Sequence, residues 1–481
     1  MNKQQGYIKK EERKKILLLS DDIRAHSGVA HMGREIIINT SHRYNWVNLG
    51  GAVKHPDEGK RFDLSADISK QNNISDASVT IHPISGYGNP DLLRGIIKQE
   101  KIDAIFIITD PRYWTWLFEM EAELRKKTPI AYLNIWDNYP APIYNKTFYE
   151  SCDALLGISK QTVNINKLVL GDKAEGKIIE YVPHGVSPEI FKPLELEKVD
   201  KTYVDFETKM KQGKDINFTV LFNSRNIRRK QIPDTILAFK YFVDTLSQED
   251  KEKALLLLHT QPVDNNGTDL NAVIDLLAPS EQGYNIHFTG GQLSPQEMNY
   301  LYNIADATIL LSSNEGWGLA LTESLLTGTP FVANVTGGMQ DQMRFVDANS
   351  DWFTPDAKVP SNHNKTYTSH GEWAFPVYPS NKSIVGSPVT PYIWDDRCTP
   401  EDAAKQLGEL YNLSSEQRIE RGRKGLEWAT GPEAGFTSKI MGERVIKNLD
   451  ALFKTWKPRE KYELILAGNQ EKKVVNHELV Y

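Results

Sequence analysis

Glu315 and Glu323 are the side chains whose type and spacing point most directly to chemistry. They stand on either side of a glycine-punctuated turn, with seven residues between them. A carboxylate accepts hydrogen bonds from hydroxyl groups, and from two of them when the diol is vicinal. Two carboxylates at one strand end can therefore bind one polyhydroxyl ligand. The alternative is an ordinary strand, turn and helix unit whose two acids are solvated.

The elements that must position these glutamates lie within residues 307–342. Apolar runs, a turn and helical spacing predict the order strand, turn, helix, strand, at residues 307–313, 314–318, 319–326 and 330–335. Gly316 and Gly318 allow the backbone to approach a ligand closely, and the free N–H groups at the start of the helix suit anionic or hydroxyl oxygens. We therefore expect both carboxylates to face a crevice at the carboxyl ends of the strands.

This stretch resembles a known family motif. The sequence Asn-Glu-Gly-Trp-Gly-Leu at residues 314–319, followed by Glu323, is similar to the E-x7-E signature of retaining glycosyltransferases of the glycogen-synthase-like class, which have the GT-B fold. The resemblance implies that Glu323 holds the ribose of a nucleotide-sugar and that Glu315 contacts the transferred sugar. The implied backbone contacts to the donor come from Gly316, Trp317, Gly318 and Leu319.

Arg225 and Lys230 match the R-x4-K pattern of the same family. Departure of a nucleoside diphosphate develops negative charge, which a metal or fixed cations must neutralise. An arginine fork can grip two oxygens, while a lysine supplies a point charge. The resemblance thus implies a metal-independent enzyme whose donor is a UDP-sugar. The neighbouring Arg228 and Arg229 are expected to be surface charge.

Two shorter motifs match the family at the expected places. Gly28, after the first predicted strand, occupies the position of a glycine-containing loop that approaches the donor phosphates and sugar. Residues 181–186, with the sequence YVPHGV, resemble an element that leads into the interdomain linker, and His184 within it would lie against the donor. Together the motifs extend the resemblance over residues 15–430.

The acceptor side departs from the family. In many relatives a histidine follows the strand equivalent to residues 103–109, whereas this chain continues with Asp110. Asp110, or Asp137 after the next predicted strand, is therefore the candidate to orient or deprotonate an acceptor hydroxyl. The alternative for Asp110 is a helix cap, because a helix is predicted to begin near Tyr113.

Short β-rich runs alternate with helical patterns along most of the chain, and this alternation predicts an α/β fold. With the resemblance, we expect GT-B: two Rossmann-like domains facing each other across a donor and acceptor cleft. The predicted parts are an acceptor-side domain at residues 1–187, a linker at 188–215, a nucleotide-sugar-binding domain at 216–430 with a loop insertion at 351–391, and a crossing helix at about 431–457.

Composition narrows the class of protein. The chain has 481 residues, of which 40% are hydrophobic and 25% charged, as in ordinary globular proteins. Cys152 and Cys398 have no zinc spacing and form no disulfide framework, which favours a reducing compartment. No apolar run reaches membrane-spanning length, so we expect a cytoplasmic protein, in the host cytoplasm if it is phage-encoded. The basic run at residues 9–15 is expected to be a solvated leader.

The sequence is compatible with more than one chemical class of acceptor. Residues 17–36 and 44–59 resemble predicted glycosyltransferases of large tailed phages, which would make 5-hydroxymethylcytosine in DNA the acceptor. Arg112 and the aromatic residues that follow it would then meet the nucleic acid. The net charge of −6 instead favours a saccharide, lipid or small-molecule acceptor. A non-catalytic nucleotide-sugar or nucleic-acid binding protein on the same scaffold is the further alternative.

Overall fold

The first of two parallel sheets is formed by the N-terminal half of the chain. The computed structural model describes residues 6–195, 199–353, 355–356, 367 and 369–459. The sheet has the order β3-β4-β2-β1-β5-β6-β7-β8, and every neighbouring pair is parallel except β3 with β4. Its strands are β1 Lys15–Asp21, β2 Asn45–Ala52, β3 Phe62–Asp63, β4 Val79–Ser85, β5 Ala104–Ile108, β6 Ile130–Asn134, β7 Ala154–Gly157 and β8 Ile178–Tyr181.

The helices of this half connect the parallel strands. They are α1 Gly28–Thr40, α2 Ser65–Gln71, α3 Pro90–Glu100, α4 Thr115–Glu119, α5 Glu121–Leu124, α6 Lys146–Glu150 and α7 Lys160–Leu170. β1 pairs with both β2 and β5, so the strand order reverses beside β1. A crevice opens at such a point, outside the carboxyl ends of the strands. The chain leaves β1 toward Gly28 there, and leaves β5 toward Asp110.

The second sheet has the order β11-β10-β9-β12-β13-β14 and is parallel throughout. Its strands are β9 Phe218–Asn223, β10 Ala254–His259, β11 Ile286–Phe288, β12 Ala307–Leu310, β13 Phe331–Asn334 and β14 Ala374–Val377. β9 lies between β10 and β12, which places the reversal of strand order at β9. The residues after β9 and those after β12 therefore meet at one edge of the sheet, and these two segments carry Lys230 and Glu315.

The remaining helices surround the second sheet or return to the first. They are α8 Lys201–Met210, α9 Ile232–Val243, α10 Gln248–Glu252, α11 Leu270–Leu277, α12 Pro295–Ile304, α13 Leu319–Leu326, α14 Met339–Met343, α15 Pro400–Tyr411, α16 Ser415–Thr430 and α17 Ser438–Thr455. α17 packs against α1 of the first sheet. The two Rossmann-like units confirm the predicted fold class.

Three parts of the sequence prediction need correction. The predicted linker contains α8, whose Tyr203 ring packs edge-on against Tyr300 of α12 with centroids 5.3 Å apart. The predicted loop insertion contains the edge strand β14 and an antiparallel hairpin, β15 Asn381–Ser387 and β16 Thr390–Arg397. Positions 354, 357–366 and 368 of that insertion lie outside the described residues. Arg13, expected in a solvated leader, is buried and pairs with Asp76 at 2.7 Å.

Within the described residues, no helix is both long and apolar enough to cross a membrane. Of the predicted crossing helix, residues 438–455 are helical.

Candidate active site

The central turn has the predicted form. β12 ends at Leu310, the turn follows, and α13 begins at Leu319. Gly318 has φ +87°, a left-handed conformation that glycine adopts without a steric penalty. Glu315 and Glu323 are both buried, one in the turn and one on the helix. The strand, turn and helix therefore bring the two glutamates to the same end of the second sheet, as predicted.

Glu315 is held by two cations and a hydroxyl. Arg229 Nη1 donates to Glu315 Oε2 at 2.8 Å, and Lys230 Nζ pairs with Oε1. Ser312 Oγ also donates to Oε1 at 2.8 Å. Burial would raise the pKa of Glu315, but Arg229 and Lys230 outweigh it and lower the pKa to about 2. Glu315 is thus a fixed negative charge within a cluster of net positive charge.

The arginine that pairs with Glu315 is Arg229, and Arg225 has a different partner. The side chain of Arg225 is 63% exposed and pairs with Asp264, Nε to Oδ2 at 2.9 Å. Arg229, expected to be surface charge, instead turns inward and also donates to the Asn314 carbonyl at 2.6 Å. Arg229 lies in a 3-10 turn, Arg228–Lys230, which aims it and Lys230 at the same carboxylate.

Glu323 has a different environment, with hydroxyl and amide partners and no ion pair to any described residue. Tyr302 donates its hydroxyl to Glu323 Oε2 at 2.6 Å, and Asn223 Nδ2 donates to the same oxygen at 3.2 Å. Burial raises the pKa of Glu323 to about 7, although both hydrogen bonds oppose that shift. The two glutamates of one motif are therefore tuned in opposite directions. Tyr302, which the sequence analysis did not single out, is a part of this site.

A cleft of about 630 Å³ lies between the two sheets beside Glu315. Such a volume is within the usual range for small-molecule sites. From the first domain it is lined by Asp110, Arg112, Tyr132, Asn134, Trp136 and Asp137, and from the second by Arg228, Arg229, Asn314, Val385, Thr390, Ile393, Asp395 and Arg397. Asp110 and Asp137 thus lie where the sequence placed the acceptor side.

The segment around Asp137 lies against the central turn. A Cβ atom at Gly316 would lie 2.4 Å from the Ile135 carbonyl oxygen and 3.1 Å from Asp137 Oδ1, so only glycine fits there. Burial raises the pKa of Asp137, which Arg229 partly opposes and the Glu315 carboxylate reinforces. No described residue donates a hydrogen bond to the Asp137 carboxylate. Asp137 is thus a carboxylate with free acceptor capacity on the cleft wall.

Asp110 forms the predicted cap and also lies in the cleft. Its carboxylate accepts from Arg112 N at 3.0 Å and from Arg112 Nε at 2.8 Å, and so caps the 3-10 turn Pro111–Trp114. It also lines the cleft. Since Arg112 occupies this carboxylate, Asp110 has less acceptor capacity than Asp137. Trp114 is wholly buried, whereas Tyr113 is 51% exposed.

Gly28 and His184 lie at the start of α1. Nothing lies within 4 Å of the place where a Cβ atom of Gly28 would be, which leaves room at this helix end. His184 is buried, and its Nε2 lies 3.2 Å from His31 Nδ1 on α1. Burial and His31 hold the pKa of His184 well below its usual range. His184 thus packs against His31 of α1.

The side chain of Trp317 belongs to the core, and the resemblance implies a ligand contact only for its backbone. The indole is buried and packs edge-on against Phe436, with ring centroids 4.9 Å apart. Its Nε1 donates to Thr322 Oγ1 at 2.8 Å. Only the backbone of Trp317 is left to face a ligand. The described residues contain no cluster of three or more His, Cys, Asp or Glu side chains arranged to hold a metal ion.

Comparison with solved structures identifies the fold. Sucrose-phosphate synthase from Thermosynechococcus elongatus superposes with a TM-score of 0.63 at 14% identity, over 92% of this chain and all of that one. Anabaena HepE, solved in complex with UDP and glucose, superposes with a TM-score of 0.61 at 12% identity over the same shares. The chain has the GT-B fold.

Sequence comparison adds a finding on the second GT-B domain. Residues 205–347 match the profile of the family described as glycosyl transferases group 1. This segment contains Arg229, Lys230, Glu315 and Glu323. The alpha-monoglucosyldiacylglycerol synthase of Streptococcus pneumoniae (strain ATCC BAA-255 / R6) is 34% identical over 116 residues. That match spans 24% of this chain and 24% of the relative, about a quarter of each.

Proposed function

We propose that the protein is a retaining glycosyltransferase that moves a sugar from a UDP-sugar to a hydroxyl acceptor without a metal ion. The observation that carries this proposal is the Glu315 cluster. It joins the Glu315 carboxylate, which we propose contacts the sugar, to two fixed cations, Arg229 and Lys230, at the carboxyl edge of the second sheet. Glu323 lies on α13, just over one helical turn after that helix begins. There its carboxylate would accept hydrogen bonds from the ribose hydroxyls.

The residues divide the reaction between them. The bond between the sugar C1 and the diphosphate oxygen breaks, and a bond between C1 and the acceptor oxygen forms on the same face. UDP leaves with the electron pair, and the acceptor proton passes to a phosphate oxygen of that leaving group. Arg229 and Lys230 stabilise the developing negative charge, since preorganised cations in a buried site are effective there. No enzyme carboxylate needs to act as a nucleophile in this scheme.

The donor proposal rests on the solved relatives. HepE was crystallised with UDP and glucose and also with UDP-glucose, and its chain superposes along its whole length. In this proposal Glu323 accepts from the ribose on the second domain, and the open space at Gly28 leaves room for the donor beside α1. Arg225 remains a proposed phosphate contact, because its exposed side chain is tied only to Asp264.

For the acceptor, Asp137 is the proposed orienting group, with Asp110 beside it. DNA that bears 5-hydroxymethylcytosine is the first candidate acceptor, on the resemblance to phage glycosyltransferases; four arginines line the cleft, Arg112, Arg228, Arg229 and Arg397, together with three aspartates, Asp110, Asp137 and Asp395. The burial of Trp114 leaves only Tyr113 as a well-exposed ring of the expected nucleic-acid patch. A saccharide or lipid acceptor is the second candidate, because the cleft has the size of a small-molecule site.

The test combines donors and acceptors in one panel. UDP-glucose, UDP-galactose and UDP-N-acetylglucosamine are each incubated with methyl α-glucoside, dioleoylglycerol or an oligonucleotide that contains 5-hydroxymethylcytosine, with EDTA present. Mass spectrometry then weighs the acceptors. A sugar mass on any acceptor supports the proposal. Donor binding without transfer or hydrolysis across the whole panel would refute it and leave the non-catalytic alternative.

A steep fall in the rate of sugar transfer to DNA with rising salt would indicate an acceptor site that contacts the DNA phosphates. Binding that neutralises several phosphates weakens steeply as ionic strength rises. A neutral saccharide should be almost indifferent to salt. Addition of sugar to the nucleoside alone, with no effect of salt, would instead indicate that the base is read and the DNA backbone is not.

A further inference from the structure

The β15–β16 hairpin belongs to the second half of the chain but lies on the first domain. Successive side chains of a strand point to opposite faces. On β16, Ile393, Asp395 and Arg397 line the cleft. The residues between them contact the first domain instead. Trp394 N donates to the Tyr139 carbonyl at 2.7 Å, and Asp396 Oδ2 accepts from Asn138 Nδ2 at 2.8 Å.

The contact at Asp396 is buried. Asp396 is wholly inaccessible, and its Oδ2 also accepts from Thr336 Oγ1 of the second domain at 2.7 Å. Asn138 is the residue after Asp137, and its own Oδ1 accepts from Gln161 Nε2 at 3.1 Å. The hairpin therefore fixes the backbone next to the carboxylate proposed to orient the acceptor.

A second contact reaches the other acceptor-side carboxylate. Arg112 Nη1 donates to Thr390 Oγ1 at the start of β16, while the same guanidinium holds Asp110 through Nε at 2.8 Å. Between these two anchors, Val385 and Ile393 face each other across the hairpin and form an apolar wall of the cleft. The first domain thus gives the cleft the carboxylates of Asp110 and Asp137, and the hairpin gives it an apolar pair beside the charged Asp395 and Arg397.

We propose that this hairpin builds the acceptor site. Thr390 and Asp396 are positioning residues that hold Asp110 and Asp137 through Arg112 and Asn138, and Ile393 selects the acceptor. The acceptor is a ring-sized unit with a hydroxyl on one edge and an apolar face, the chemistry shared by a hexose and by a hydroxymethylated pyrimidine. This inference rests on the proposed function and names the part of the chain that determines its substrate.

The experiment compares Thr390→Val, Thr390→Ser and Ile393→Ala with Val389→Ala, a control whose side chain is 63% exposed at the hairpin turn. UDP binding is measured by calorimetry, and transfer from UDP-glucose is measured with methyl α-glucoside and with the 5-hydroxymethylcytosine oligonucleotide. Thr390→Val and Ile393→Ala should raise the acceptor KM about tenfold, as expected for losing one hydrogen bond to a charged group or one apolar contact, and should leave UDP affinity within about twofold. Thr390→Ser should retain the wild-type acceptor KM, because it keeps the hydroxyl.

The two acceptors distinguish a sugar ring from a pyrimidine ring, since only the true acceptor class shows the rise in KM from a measurable wild-type value. Unchanged acceptor KM in both Thr390→Val and Ile393→Ala, with wild-type transfer intact, would overturn the role of the hairpin alone. Loss of UDP affinity in step with acceptor KM would overturn it as well. Absence of any transfer by the wild-type protein would refute the proposed function itself.

Discussion

Replacing Arg229 with glutamine tests which arginine serves the site. The change removes the 2.8 Å ion pair to Glu315 and leaves Lys230 as its single cation. A hydrogen bond to a charged group contributes about 1.5–3 kcal/mol. If that interaction is needed when the diphosphate leaves, turnover falls by about 10–150-fold, because each 1.36 kcal/mol is roughly tenfold in rate. The effect should fall mainly on kcat, since the partner charge grows during bond breaking.

The assay is the initial rate of UDP release from UDP-glucose in the presence of the acceptor that the panel identifies. Arg225→Gln is measured beside Arg229→Gln, because the R-x4-K pattern assigns the same task to Arg225. Arg423→Gln is the matched control, since Arg423 forms an exposed ion pair on the surface of α16. Wild-type turnover in Arg229→Gln together with a large loss in Arg225→Gln would refute the geometric assignment and restore the sequence pattern.

The other predictions concern Glu323, Glu315, Lys230 and closure of the domains. Glu323→Ala should weaken UDP binding about tenfold with little change in kcat, because ribose contacts exist in both ground and transition states; calorimetry measures the first and steady-state kinetics the second. Burial raises the pKa of Glu323 to about 7, so the contribution of Glu323 to stability is present at acidic pH and is lost as the pH rises through about 7. The melting temperature of Glu323→Gln should therefore not show this fall with pH. The pKa of Glu315 is lowered to about 2, so its contribution is present above the ordinary glutamate pKa and is lost as pH falls toward 2, which acid titration of Glu315→Gln should show. Lys230→Ala should raise the activation free energy by about 2–4 kcal/mol and so lower turnover. Full turnover in that variant would count against the role of Lys230. UDP should draw the two domains together, and identical small-angle scattering with and without UDP would argue against closure.

The central turn was predictable because its signals are local. An apolar run, paired glycines and helical spacing define β12, the turn and α13 within one short stretch, and the strand predicted to follow them is present as β13. β2 was missed because Asn48, Gly50 and Gly51 are poor strand formers. It forms a strand because its backbone pairs with both β1 and β4 in the sheet. Asn48 is buried there, and its amide nitrogen donates to Ser20 Oγ at 3.2 Å.

The choice between Arg225 and Arg229 was not accessible from the sequence. Four basic residues fall within the segment 225–230, and spacing alone favours Arg225. The 3-10 turn favours Arg229, because it directs Arg229 and Lys230 toward Glu315, and the two glutamine variants test that proposal. Arg229 directly precedes Lys230 in the sequence. This adjacency could have indicated a shared partner, because consecutive residues in a tight turn can contact the same group.

The hairpin escaped prediction for another reason. Most of β15 is exposed, so it lacks the alternation of a half-buried strand. Its prolines, serines and asparagine resemble a loop in composition, and its partner contacts lie more than two hundred residues away in the chain.

The anomeric configuration of the product tests the central claim most directly. Wild-type protein is incubated with UDP-glucose and the acceptor found in the panel, and proton NMR follows the first product before any equilibration. The Glu315 cluster and same-face departure of UDP predict a product with the α configuration of the donor, and loss of that product in Lys230→Ala. A β-linked first product, or an α-linked product formed at an undiminished rate by Lys230→Ala, would contradict the account.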